Sequence, residues 1–92
     1  MKKYILTDVF EREMALPLIF DTSEAAMSAM VDAVAEVLKI KPDTILQTLH
    51  ESGSYRDNEC EVHETYAWAN NGDGSTDFCI VELDTKTWRC AL

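Results

Sequence analysis

Residues 21–39, DTSEAAMSAMVDAVAEVLK, decide the fold. Asp21-Thr22-Ser23-Glu24 offers a capping residue with a glutamate three positions later, directly before an apolar-periodic run. Met27, Met30, Val31, Val34, Val37 and Leu38 follow the spacing of one helix face. Glu24, Ser28, Asp32 and Glu36 recur every four residues on the other side. Alanines at 25, 26, 29, 33 and 35 raise helix propensity and permit close approach. The pattern predicts a helix over 23–39 with one stripe that must be buried. The rest of the chain has to supply the layer that buries it.

Downstream, Lys41-Pro42-Asp43 opens a second, shorter helix, because proline suits a first turn whose N–H is unpaired anyway. Ile45, Leu46 and Leu49 form its buried stripe, and Gly53 is its stop. Residues 52–58 read as a polar loop. Upstream, Lys3 to Phe10 alternates as a strand, with Tyr4, Leu6 and Asp8 facing one way and Ile5, Thr7 and Val9 the other. After the charged break Glu11-Arg12-Glu13, the apolar run Met14 to Phe20 contains Pro17, which cannot donate to a ladder, so any strand there lies at an edge or is short and irregular.

From Glu59 the period becomes two. Cys60, Val62, Glu64, Tyr66 and Trp68 alternate with Glu61, His63, Thr65 and Ala67, which points to one strand, with a helix as competitor. Asn70-Asn71-Gly72-Asp73-Gly74-Ser75 is a turn rich in residues that tolerate positive φ. Phe78 to Leu83 is a strand, Asp84-Thr85-Lys86 a turn, and Thr87 to Leu92 a closing strand. The expected fold is therefore α+β: two helices packed on a small antiparallel sheet, in the order β(β)ααβββ, with a C-terminal three-strand meander over 59–92.

Charge is unevenly placed. Residues 1–42 carry seven acids and five bases, whereas 43–92 carry ten acids and three bases, within a net charge of −9. Such a field repels phosphates and attracts basic protein surfaces. Hydrophobic residues make up 47% of the chain, with two prolines and three glycines, which excludes disorder. Ninety-two residues are expected to make one domain, with a core too small to wall a deep pocket, so an enzyme is disfavoured. No apolar run reaches the roughly 18–20 residues that cross a bilayer, and Thr7 and Asp8 cut short any signal-like segment. Cys60, Cys79 and Cys90 are an odd set without a dense framework, read as reduced thiols in the cytoplasm.

Four constellations bear on chemistry. Asn71, Asp73, Ser75, Asp77 and Glu82 have the oxygen spacing of a calcium loop, but Thr76 stands where the sharp turn needs glycine and the flanks read as strands. A polar hairpin explains them better. Cys60, His63, Cys79 and Cys90 form a candidate zinc set, yet 60 and 63 point to opposite faces of an extended strand, and 79 and 90 are not a knuckle. Glu59, Glu61 and His63, with Glu64 alongside, share a strand face that reads as solvated rather than catalytic. Residues 31–53 have the order of a helix-turn-helix, but residues 41–53 offer only Lys41 against Asp43 and Glu51, so direct nucleic-acid binding is disfavoured.

The function these observations favour is a small non-enzymatic binding protein engaging a basic partner protein through residues 57–84. Its contact residues would be Asp57, Glu59, Glu61, Glu64, Asp73, Asp77 and Glu82, with Tyr66 and Trp68 as aromatic anchors. One form is a nucleic-acid mimic that inhibits a nucleic-acid-binding protein, of the kind carried by phages or plasmids. A second reading is a structural or regulatory homodimer, supported by apolar residues on both sides of the last two strands (Phe78, Ile80, Val81, Leu83 and Trp88). A third reading, ranked below both, is a metal-binding domain using the Asn71–Glu82 loop or the cysteine–histidine set. No cofactor or membrane is expected.

Overall fold

The structure, a computed structural model, describes residues 2–10, 13–14 (backbone), 17–72 and 74–84. Among the described residues two helices cover one face of a seven-stranded antiparallel sheet, so the fold is α+β. The strands are β1 (Lys2–Phe10), β2 (Glu13–Met14), β3 (Leu18–Phe20), β4 (Ser54–Asp57), β5 (Cys60–His63), β6 (Tyr66–Asn70) and β7 (Ser75–Asp84). The helices are α1 (Ser23–Leu38) and α2 (Pro42–Ser52). The sheet runs β2-β1-β7-β6-β5-β4, with β3 also on β1.

α1 starts one residue later in the capping sequence than Asp21 implies. Thr22 is the cap, its Oγ1 accepting from Ala25 N–H at 3.1 Å, while Asp21 instead pairs with Lys3. Its far end is held by Lys39 at φ 59°, with Ile40 N–H donating back to Ala35 O at 3.0 Å. α2 begins at Pro42 and ends at Gly53, whose φ of 82° only glycine adopts freely. Ala26, Met30, Val31, Val34 and Ala35 of α1 and Ile45 and Leu49 of α2 are buried against Leu6, Cys60, Val62, Ala67, Ala69, Phe78 and Ile80 of the sheet.

The first strand is interior to the sheet, next to its β2/β3 edge. β1 pairs with β7 along its whole length, from Lys2↔Asp84 to Phe10↔Thr76. The proline-bearing run is the outer edge as expected, and it is broken: β3 pairs Tyr4↔Phe20 and β2 pairs Val9↔Met14, registers that differ by one residue on either side of Pro17.

Two expectations for the C-terminal half are corrected. Residues 52–58 are not all loop, because Gly53 turns the chain straight into β4, an edge strand that sends Tyr55 inward and Arg56 outward. Residues 59–69 are not one strand. They form β5 and β6, reversed at Glu64-Thr65, with Val62 opposite Ala67 and Cys60 opposite Ala69. That tight reversal changes parity. Cys60 and Val62 share the covered face with Ala67 and Ala69, and Tyr66 and Trp68 join Glu61 and His63 on the other. The meander is thus β4-β5-β6-β7, and the expected closing strand at 87–92 lies outside the described residues.

Candidate functional site

Antiparallel pairing places odd-numbered residues of β1 and β7 on the face away from the helices. From the β3 edge across the sheet, Ile19, Ile5 and Val81 lie side by side. The next rows are Thr7, Cys79 and Tyr66, then Val9, Asp77, Trp68, Glu61 and Arg56. This face is apolar and open, with Ile19 66%, Tyr66 49% and Val81 48% exposed. Cys79 is also exposed, whereas Cys60 is buried under the helices.

One polar cluster is built into it. Glu61 Oε1 accepts from Arg56 (Nε at 3.1 Å, and a second guanidinium N–H), and Oε2 accepts from Trp68 Nε1 at 3.2 Å. His63 Nε2 lies 3.3 Å from Glu61 Oε1 without the angle of a hydrogen bond, and its ring stacks on Tyr66 at 4.3 Å and 20°. The Arg56 bonds first, then Trp68 and His63, hold the Glu61 carboxyl below its ordinary range. Three aromatic rings and an arginine are thereby fixed on the open face. Burial does the reverse at Cys60, pushing its thiol pKa up.

The carboxylates expected to form one patch are dispersed. Asp57 and Glu59 sit at the β4–β5 turn, and Glu64 is at the β5–β6 turn, the opposite end of β5. Glu61 and Asp77 are on the open face, Glu61 matched by Arg56. Glu82 has the opposite parity to Asp77; it pairs with Lys2 at 3.0 Å and lies near Tyr4 OH at 3.5 Å. Asp73 lies outside the described residues. The same parity separates the oxygens of the calcium-like spacing, since β7 runs without interruption through Ser75, Asp77 and Glu82. The cysteine–histidine set is split by the sheet, with Cys60 beneath the helices, His63 and Cys79 on the far face, and Cys90 not described. Among the described residues no group of three or more His, Cys, Asp or Glu side chains could hold a metal ion.

A groove of about 300 Å³ lies between the start of α1, the end of α2 and the β5–β6 turn, lined by Ser23, Glu24, Met27, His50, Glu64 and Thr65. No hydrogen bond or ion pair described there ties His50 to either glutamate, so no acid–base pair is assembled. Among the described residues no helix is long and apolar enough to cross a membrane.

Of the residues expected as contacts, the structure brings Tyr66, Trp68, Glu61 and Asp77 onto one face. Ile5, Val9, Ile19, Arg56, His63 and Cys79 complete that face without having been singled out as contacts. For Ile5, Val9 and Cys79 the signal is two-sided apolarity in 3–10 and 78–83, which marks strands with something to bury on both faces, whereas Ile19, Arg56 and His63 are placed by pairing that no local pattern announces. No family model matches the chain, and no curated protein or solved structure shows significant similarity to it.

Proposed function

We propose that this chain is a non-enzymatic binding protein whose working surface is the open face of its sheet, engaged by another protein in the cytoplasm. The observation that carries the reading is a segregation of charge. The chain bears −9, yet among the described residues of this face Arg56 pairs with Glu61 and Lys3 with Asp21 at the margin, which leaves Asp77 as its single acid without a described cation. The exposed acids Glu24, Asp32, Glu36, Asp43 and Glu51 lie on the helices, and Asp57, Glu59 and Glu64 lie at the strand ends.

An apolar centre with aromatic and arginine anchors inside a polar rim is the anatomy of a protein interface. The face spans roughly 30 Å along β7 and about 25 Å across the strands, on the order of the ~800 Å² per partner of a standard complex. Edge pairing is a poorer route. One edge is broken at Pro17, and the other, β4, is four residues long and ends in Arg56-Asp57. Engagement of a basic partner by the carboxylates of 57–84 keeps support only as a rim effect, because they do not stand together, and a phosphate-like track would require that they did.

Photo-crosslinking in the native host tests the proposal. A photoreactive residue at Tyr66 or Cys79 should give discrete protein adducts, and one at Asp32 or Asp43 on the helices should not. Adducts from the helix positions alone, or none from the sheet face, would reject it.

A further inference from the structure

We infer that the protein seated on the open sheet face is a second copy of this chain, the two sheets packing face to face as a two-fold dimer. The inference rests on the docking reading above and names its partner. Its first support is that the face is, among the described residues, the one broad surface on which two acidic copies can meet without their acids clashing. Bringing two molecules of net charge −9 together is costly wherever their acids meet, and the open sheet face is the broad surface from which unpaired acids are nearly absent. Asp77 is its one carboxylate without a described cation, and it lies opposite Val9 at one end of the β1–β7 pair. Lys3 lies opposite Leu83 at the other end. A two-fold axis crossing β1 and β7 at mid-length sets the Asp77 end of each copy over the Lys3 end of its mate. An axis along the strands would set Asp77 against Asp77. The first orientation thus keeps the two Asp77 carboxylates apart and sets each over the charge-neutral Lys3–Asp21 end, so an isologous contact through this face meets no like-charge clash.

The second support is size. The described residues form a slab of 41 × 31 × 15 Å, which accommodates one sheet and one helical layer. Doubling it through the open face makes a four-layer body, with the sheets about 10 Å apart and Ile5, Val9, Val81, Tyr66 and Trp68 interdigitated between them. Around 800 Å² from each copy lies within the range of stable dimers.

Sedimentation of the full chain, run alongside alkylation of its thiols by iodoacetamide, tests this. The wild type should sediment at twice the chain mass, and Cys79 should be protected in a concentration-dependent way. Val81→Asp should raise the dissociation constant roughly 100-fold or more by placing a charge in the contact, while Glu36→Lys on α1 leaves it unchanged. Cys60 should stay protected in every variant, which reports that the fold is intact. A folded monomer at high concentration with Cys79 freely alkylated would overturn the dimer and leave the face open to a different protein. A monomer with Cys79 protected would overturn both readings, since the cover would then come from the same chain. A dimer that survives Val81→Asp but dissociates in Glu36→Lys would place the interface on the helices and also overturn both.

Discussion

The two faces of the sheet are made from the same strands, residue by residue, and differ in what lies over them. On the covered face, Leu6, Val62, Ala67, Ala69 and Phe78 are sealed by α1 and α2, with no charged residue among the core. On the open face, Ile5, Val81, Cys79 and Tyr66 are scarcely less apolar, yet they face solvent and are interrupted by the Arg56–Glu61 pair. Burying apolar surface stabilises at roughly 25 cal/mol per Å², and that term operates on the covered face in a lone molecule but on the other only when something docks. The comparison separates folding from association within single strands. Adjacent residues serve different ends.

Ile80 and Val81 put this to the sharpest trial. Ile80 is 8% exposed beneath the helices and Val81 is 48% exposed on the opposite side. Ile80→Ala should cost about 2–5 kcal/mol of unfolding free energy, from lost transfer energy and the cavity left behind. Val81→Ala, measured on dilute monomer, should change stability by no more than about 0.5 kcal/mol. Urea denaturation of both variants reads the difference directly. Equal losses would mean that the face around Val81 is buried in the single chain.

Much of this contrast was legible in the sequence, and the parts that were not share a cause. α1, α2, β1 and the edge position of the Pro17 run depend on local periodicity, capping residues and the missing proline N–H, all written in neighbouring residues. The division of 59–69 was invisible because Glu64-Thr65 carries none of the usual turn residues, and without the turn the alternation runs on unbroken. That one omission put Tyr66 and Trp68 on the wrong side, with Cys60 and Val62. β4 was hidden because an edge strand with one open face can be as polar as a loop, as Tyr55-Arg56-Asp57 shows. The pairing of β1 with β7 joins opposite ends of the chain, and no local pattern encodes it. Dispersal of the acids follows from these same misplacements, since which carboxylates gather depends on parity and strand order rather than on proximity in sequence.

A smaller effect should come from Glu61, the one carboxylate of the open face with a full set of donors. Its folded pKa is depressed chiefly by Arg56, so its contribution to stability is complete above the ordinary carboxylate range. That contribution is lost as pH falls through the lowered folded value, where the carboxyl takes up its proton. Glu61→Gln should therefore lower the urea midpoint at neutral pH by less than Ile80→Ala does. The gap to wild type should close in acid. A gap that widened below the carboxylate range would contradict the assigned direction. In the dimer the same variant also frees Arg56 and Trp68, so association should weaken along with stability.

The smallest change lies in the helical layer and isolates it from the open face. Lys39 closes α1 at φ 59° and ψ 43°, a conformation that costs a residue with a Cβ about 1 kcal/mol and glycine very little. Two terms oppose its replacement: glycine loses more backbone entropy on folding, and a lysine at a helix C-terminus interacts favourably with the exposed carbonyls. The cap geometry should win narrowly, so that Lys39→Gly raises stability by about 0.5 kcal/mol. Because residue 39 caps α1 in the layer that covers the opposite face of the sheet, the dimer dissociation constant should not move. A gain in unfolding free energy with unaltered sedimentation would show that the covering layer can be strengthened while the docking face stays as it was; a gain accompanied by tighter association would show that the two faces are coupled through the sheet.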